Sequence, residues 1–199
     1  MAPERSNETA VHAARRAQLV DAAIDVLARD GYAAASTVRI ARAAGVSRGV
    51  LTYHFRDRAD LVAEVVRTVY ALAGAELGPR VVRAGSPRAS LLAFIGGSVE
   101  FYAAYPRHLA ALSAVFTAQE RDGTRHHQTE LDDVGALLRA GVEAGEFRAF
   151  DVAIMAGTIR AALDAALVRV TADRTPATAA RVRDELVRTF DLATRKETP

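Results

Sequence analysis

The chain has 199 residues, 50% of them hydrophobic, with 26 Lys and Arg against 24 Asp and Glu and no cysteine. A chain of this size buries roughly 70% of its unfolded surface, so a substantial core is expected; neither disorder nor a disulfide scaffold fits the composition. The missing cysteines exclude thiolate metal sites, thiol nucleophiles and disulfides and suit a reducing cytoplasm.

No apolar run approaches the ~18 residues of a spanning helix. The polar stretch from Met1 to Arg16 lacks the apolar segment of a signal peptide, so a cytoplasmic protein without membrane association is expected. The net charge of +2 points to no partner by itself. Its distribution is more informative: Arg39, Arg42, Arg48, Arg56 and Arg58 fall in one short stretch, opposed by Asp57 alone. Such a local excess is what a phosphate backbone requires.

Apolar residues recur at helical spacing almost throughout, so an all-α fold of about nine helices is expected. After a flexible tail over residues 1–13, a first helix runs from Ala14 to Arg29, with Leu19, Ala23, Val26 and Leu27 on its apolar side. Asp30-Gly31 stops it. Ser36 caps a second helix, Thr37 to Ala44, and Gly45 breaks that one. Ser47 caps a third, Arg48 to His54, and Asp57 caps a fourth that reaches about Ala75. Gly78-Pro79 and Gly85-Ser86-Pro87 then bracket a turn-rich stretch, the candidate domain junction. Further helices are expected at Arg88 to Ala104, Arg107 to Gln119, Glu130 to Ala144, Val152 to Thr171 and Ala177 to Thr194.

The segment Ser36 to Arg56 has the spacing of a helix-turn-helix. Two steeply crossing helices need a small residue where they meet, supplied by Ala41, and a turn tolerant of positive φ, supplied by Gly45. Ile40, Val46, Leu51 and Phe55 can then pack inward, leaving Arg48, Gly49, Thr52 and Tyr53 near the outer side of the third helix. An ordinary helical hairpin would explain Gly45 and the apolar positions. It would require neither Ala41 four places before the glycine nor Arg48 directly after a capping serine. A three-helix DNA-binding unit is therefore expected over 14–60, with the helix-turn-helix at 36–56. A larger helical unit for ligand binding and dimerisation follows over 61–199.

The run from Arg16 through Leu61 resembles the DNA-binding domain of TetR-family transcriptional regulators. The resemblance lies in Asp30-Gly31-Tyr32, Thr37-Val38-Arg39-Ile40-Ala41, Ala44-Gly45-Val46-Ser47-Arg48-Gly49 and Leu51-Thr52-Tyr53-His54-Phe55, followed by Arg58 and Leu61. The family usually has tyrosine where this chain has Thr52, and lysine is common at the position of Arg58.

Arg48 can bond a guanine edge bidentately, for about 1–3 kcal/mol of discrimination, or contact phosphate instead. Gly49 and Val50 allow close approach to the groove. Thr52 can donate to phosphate or touch a thymine methyl. Thr37, Tyr53, His54 and Arg58 are assigned to the DNA backbone, with a packed, half-exposed role as the alternative for His54.

On the last helix Val182, Leu186 and Phe190 form a narrow apolar stripe suited to helix-on-helix packing, either in a homodimer or against the chain's own core. The resemblance implies the dimer, with the last two helices of each chain forming a four-helix bundle. An effector pocket, if present, would draw on Phe101, Tyr102, Tyr105, His108, Met155 and Thr158, and its sparse polar groups favour an apolar or aromatic ligand. Arg160 and Asp164, four apart on one helix, read as a solvated pair or a contact across the dimer in preference to ligand contacts. His126-His127 with Glu130 invites a metal reading, but adjacent histidines diverge, so no metal and no cofactor is expected.

These readings converge on a dimeric transcriptional regulator, a repressor that binds a palindromic operator and is released by a small effector. The alternatives are a constitutive DNA-binding protein without an effector, and an enzyme with an accessory DNA-binding domain. The enzyme reading finds no phosphate loop, dinucleotide fingerprint, zinc-protease motif or hydrolase elbow, so the chain is expected not to be an enzyme.

Overall fold

The computed structural model describes residues 3–120 and 128–196. Among the described residues there are nine helices: α1 (Pro3–Ala34), α2 (Thr37–Ala43), α3 (Arg48–His54), α4 (Arg58–Arg83), α5 (Pro87–Ala104), α6 (Pro106–Glu120), α7 (Gln128–Glu143), α8 (Val152–Ala172) and α9 (Pro176–Thr194). The expected order holds, and α3 has the expected bounds. His126 and His127, raised as metal candidates, lie outside the described residues. No described helix is long and apolar enough to cross a membrane.

Most boundaries shift by one or two residues; those of α1 and α4 differ further from expectation. Helix α1 begins at Pro3 and not at Ala14, because residues 4–13 contain no breaker and Pro3 stands at the helix start, where its missing N–H costs little. Its regular helix is nonetheless interrupted at Gly31 (φ 77, ψ 172), where Asp30-Gly31 predicts a stop. Helix α4 runs through Gly78-Pro79 and ends at Arg83. Pro79 removes a helical hydrogen bond, but tertiary contacts hold the segment: Arg80 pairs with Glu100 at 2.6 Å. Leu77 packs so tightly on α5 that a Cβ at Gly97 would lie 2.5 Å from its Cδ2.

The caps follow the sequence. Ser36, Ser47, Ser86, Asp151 and Thr175 each accept a backbone N–H in the first turn of the helix they precede. Asp57 caps α4, accepting from the Asp60 amide at 2.8 Å.

The chain divides into two compact units. The first takes the chain through Ala71 and then α6 from Arg107; its core includes Leu19, Val26, Leu27, Ile40, Leu51, Phe55, Leu61, Val65 and Leu112. Within it, Arg107 of α6 reaches Asp21 at 2.5 Å and Asp25 at 2.6 Å, fixing α6 to α1. The second unit takes Leu72–Pro106 and everything from α7 onward, around Leu91, Ile95, Val99, Leu138, Ile159, Leu163 and Phe190. Helix α9 lies close against α5, where a Cβ at Gly96 would stand 3.4 Å from Val187.

Candidate nucleic-acid interface

The turn between α2 and α3 is built from backbone bonds. Gly45 adopts φ 68, which costs a residue with a Cβ. The Gly45 amide donates to the Arg42 carbonyl at 3.1 Å, and the Val46 amide to the Ala41 carbonyl at 2.9 Å. Ala41, at the crossing, is 2% exposed. From α1, Gln18 donates to the Ala44 carbonyl at 3.0 Å and ties the turn down. Leu51 and Phe55 are buried, at 0% and 1% exposure, so α3 has one face fixed in the core.

Arg48, Gly49, Thr52 and Tyr53 are all exposed, as the spacing predicts; Val50, His54 and Thr37 are half-buried. The local arginines divide into two groups. Arg39 pairs with Asp30 at 3.0 Å and Arg56 stands 3.8 Å from Asp60. Arg58 lies over the Tyr32 ring and donates to the Tyr32 carbonyl. Arg42 and Arg48 are exposed and make no ion pair among the described residues, so their charge is left for an outside partner.

The Thr52 hydroxyl donates back into its own helix, with the carbonyls of Arg48 and Gly49 at 3.2 and 3.1 Å. Its one proton is engaged there, which leaves its methyl group and the acceptor lone pairs of its oxygen free.

Two residues near α3 carried no signal in the spacing of the turn. Arg16 of α1 stacks 4.1 Å over Phe55, donates to the His54 carbonyl at 2.7 Å and pairs with Glu64 at 2.6 Å. Glu64 also binds Arg67, and the hydrogen bonds from Arg67 and Arg16 hold its carboxyl below the usual range. His12, also on α1, sits against Tyr53 and His54. Both act across the tertiary structure, which helical periodicity cannot show.

The residues expected to line an effector pocket divide between the two units. Phe101, Tyr102 and Tyr105 lie on α5 and Met155 and Thr158 on α8, all in the second unit, whereas His108 lies on α6 in the first. Thr158 is exposed and donates to the Ile154 carbonyl at 2.8 Å. Phe101 and Tyr105 stack on each other, with ring centroids 4.7 Å apart. Tyr102 lines an open cleft of about 390 Å³ with Glu100, Val170, Arg174, Pro176 and Arg183.

A second, tight niche is walled by Phe94, Leu131, Val134, Ile159 and Leu163, with Arg160 and Glu130 at its edge. Arg160 is not the solvated surface pair expected: only 13% of its side chain is exposed. It binds Glu130 of α7, Asp164 at 2.5 Å and the Tyr102 hydroxyl at 3.4 Å. Burial opposes its charge, but Tyr102, Glu130 and Asp164 outweigh that and raise its pKa. Its Nε is buried with no hydrogen-bond partner. On α9, Val182 and Leu186 are half-buried and Phe190 is 4% exposed within its own chain.

Residues 19–65 match the family described as bacterial regulatory proteins, tetR family. The regulator BetI of Ectopseudomonas mendocina is 36% identical over 88 residues, which cover 43% of this chain and 45% of that protein. The chain thus spans less than half the length of this curated relative. Among solved structures, the ketosteroid transcriptional regulator KstR2 of Mycobacterium tuberculosis superposes with a TM-score of 0.69 at 24% identity, covering 92% of this chain and 96% of that one. The TetR family regulator PfmR from Thermus thermophilus gives 0.66 at 19% identity, covering 91% and 96%. At these identities the likeness is one of fold.

Proposed function

We propose that this chain, whose N-terminal domain belongs to the TetR family of bacterial regulatory proteins, is a cytoplasmic, dimeric repressor of transcription released by a small effector. The observation that carries the DNA-binding reading is α3 itself: a capped helix with one face in the core and exposed, unpaired Arg48 beside Gly49 on the other. In this reading Arg48 reads a base edge, Gly49 and Val50 admit the backbone to the groove, and Thr52 offers its methyl to a thymine. Thr37, Tyr53 and His54 face the phosphates, joined by Arg42.

The dimer reading rests on apolar surface that the second unit leaves exposed. On α8, Ile154 and Val168 are each 70% exposed, and on α9 Leu192 is 53% exposed. Between Ile154 and Val168 the exposed residues at helical spacing include Gly157, Ala161 and Ala165, small enough for a second helix to come close, flanked by exposed Thr158 and Asp164. Val182 and Leu186 are half-buried and Phe190 belongs to the chain's own core. Val168→Glu with Leu192→Glu is expected to give monomers by analytical ultracentrifugation; an unchanged dimer removes this face as the interface.

The effector reading rests on Arg160. A buried donor without an acceptor costs about 1–3 kcal/mol; the niche beside it is closed even to a water molecule, so an effector with an apolar body and an oxygen acceptor would reach the Arg160 Nε only by parting the niche's apolar walls. A compound of this kind at a hundredfold its Kd should stabilise the protein by about 2.7 kcal/mol. If no compound in a broad panel shifts the melting temperature, the constitutive reading replaces the effector-responsive one.

The test of the whole reading is selection of bound duplexes from a random pool. A near-palindrome with half-sites about 34 Å apart is expected. Failure to enrich any sequence overturns the regulator reading.

A further inference from the structure

Helix α1 carries His12 to the end of α3. The His12 ring centroid lies 4.3 Å from that of His54, tilted by 48°, and 5.8 Å from that of Tyr53, edge-on at 73°. Tyr53 and His54 meet edge-on at 5.2 Å and close the triangle. His12 is exposed and Tyr53 is 76% exposed, so the cluster opens to solvent beside the helix assigned to the groove. None of this aromatic packing is required by the core, which α3 already meets through Leu51 and Phe55.

The charges around the cluster are mostly positive. From α1 come Arg15, which donates to Gln18, and Arg16, which is bound to the His54 carbonyl and to Glu64. From α4 comes Glu64, whose carboxylate is shared between Arg16 and Arg67. His54 Nδ1 is buried without a hydrogen-bond partner. Burial first, then His12, Arg16 and Arg15, push the His54 pKa down. In the free protein His54 therefore resists a proton. An approaching phosphodiester reverses that balance, since an opposite charge at close range favours the imidazolium.

We infer that His12, Tyr53 and His54 form a proton-linked binding site for a backbone phosphate of DNA. The inference rests on the reading of α3 as the groove-entering helix. One imidazole of the pair takes up a proton as the duplex binds, while the Tyr53 hydroxyl donates to the same phosphate. Arginine contacts neutralise phosphate at every physiological pH; this one does so only as the pH falls, which couples operator affinity to proton concentration.

The experiment measures the affinity of the full chain for its selected duplex at constant ionic strength from pH 8 to pH 6. Wild-type affinity is expected to rise several-fold, with about tenfold per pH unit the limit for one proton. His12→Gln, which removes one imidazole of the pair, should reduce the slope of the profile, and His12→Gln combined with His54→Gln should abolish it. His12→Arg should bind more tightly than wild type at pH 8, with a reduced slope. A wild-type profile that does not vary with pH, or a slope that persists when both imidazoles are removed, overturns the inference and leaves the groove reading standing. A chain that binds no duplex at any pH overturns both.

Discussion

The guanidinium of Arg58 lies 4.0 Å over the ring of Tyr32 and also donates to the carbonyl of that same residue. Tyr32 directly follows the break at Gly31, and Arg58 is the first residue of α4. The pair therefore fastens the start of α4 to the connection that leads into α2. The resemblance suggests a phosphate contact at this position, but here the side chain is half-buried and engaged inside its own domain. Arg58→Ala is expected to lower unfolding stability by about 1–2 kcal/mol, the range of a partly desolvated cation–π contact. Denaturant titration checks this. A midpoint that stays put while DNA affinity falls would return Arg58 to the phosphate.

Gly49 separates folding from binding. A Cβ built there meets nothing closer than the Ser47 hydroxyl at 3.7 Å, an ordinary contact. Nothing in the fold requires glycine at this place in α3, where alanine is the better helix former by about 1 kcal/mol. Gly49→Ala should therefore leave the protein as stable or more so, yet weaken operator binding by crowding the approach to the groove. A variant that binds as tightly as wild type would show that α3 does not enter the groove at this point.

Arg42 and Arg48 are the exposed arginines of this region that the domain leaves unpaired, and they should fail in different ways. Arg48→Ala should relax preference at one base step by about 1–3 kcal/mol. Arg42→Ala should weaken all duplexes alike and lower the slope of log affinity against log salt by about 1. Selection and salt titration on both variants distinguish the roles. Uniform loss in both would reassign Arg48 to the backbone.

How much of this was legible from the sequence varies with the range of the interaction. The bounds of α3, the positive φ of Gly45 and the caps Ser36 and Ser47 are local chemistry, and the residues state them directly. The partners of Arg16, Arg58 and Arg160 are not local. Arg16 looks like any arginine on a polar face of α1, yet it joins Phe55, His54 and Glu64. Gly78-Pro79 reads as a break on propensity alone, and the contacts of Leu77 and Arg80 override it. For Arg160 and Asp164, the spacing of four showed that they could meet, but not that Glu130 of α7 and Tyr102 of α5 would join the arginine and bury it.

The Arg160 cluster makes the sharpest prediction for the second unit. Its guanidinium joins Glu130 of α7 and Asp164 of α8, with the Tyr102 hydroxyl of α5 at 3.4 Å. Arg160 and Glu130 are 13% and 19% exposed, so removing one partner leaves an uncompensated charge in poor solvent. Such a loss costs about 3–5 kcal/mol, whereas replacing both partners by uncharged residues of similar volume is often neutral. Arg160→Met should therefore be strongly destabilising, and Glu130→Gln less so because Asp164 remains beside the arginine. The double variant Arg160→Met with Glu130→Gln should recover much of the loss seen in Arg160→Met. A double-mutant cycle by denaturant unfolding measures the coupling directly. If the two single losses simply add, α7 and α8 are held together by their apolar contacts, and the ion pair contributes nothing to the second unit's core.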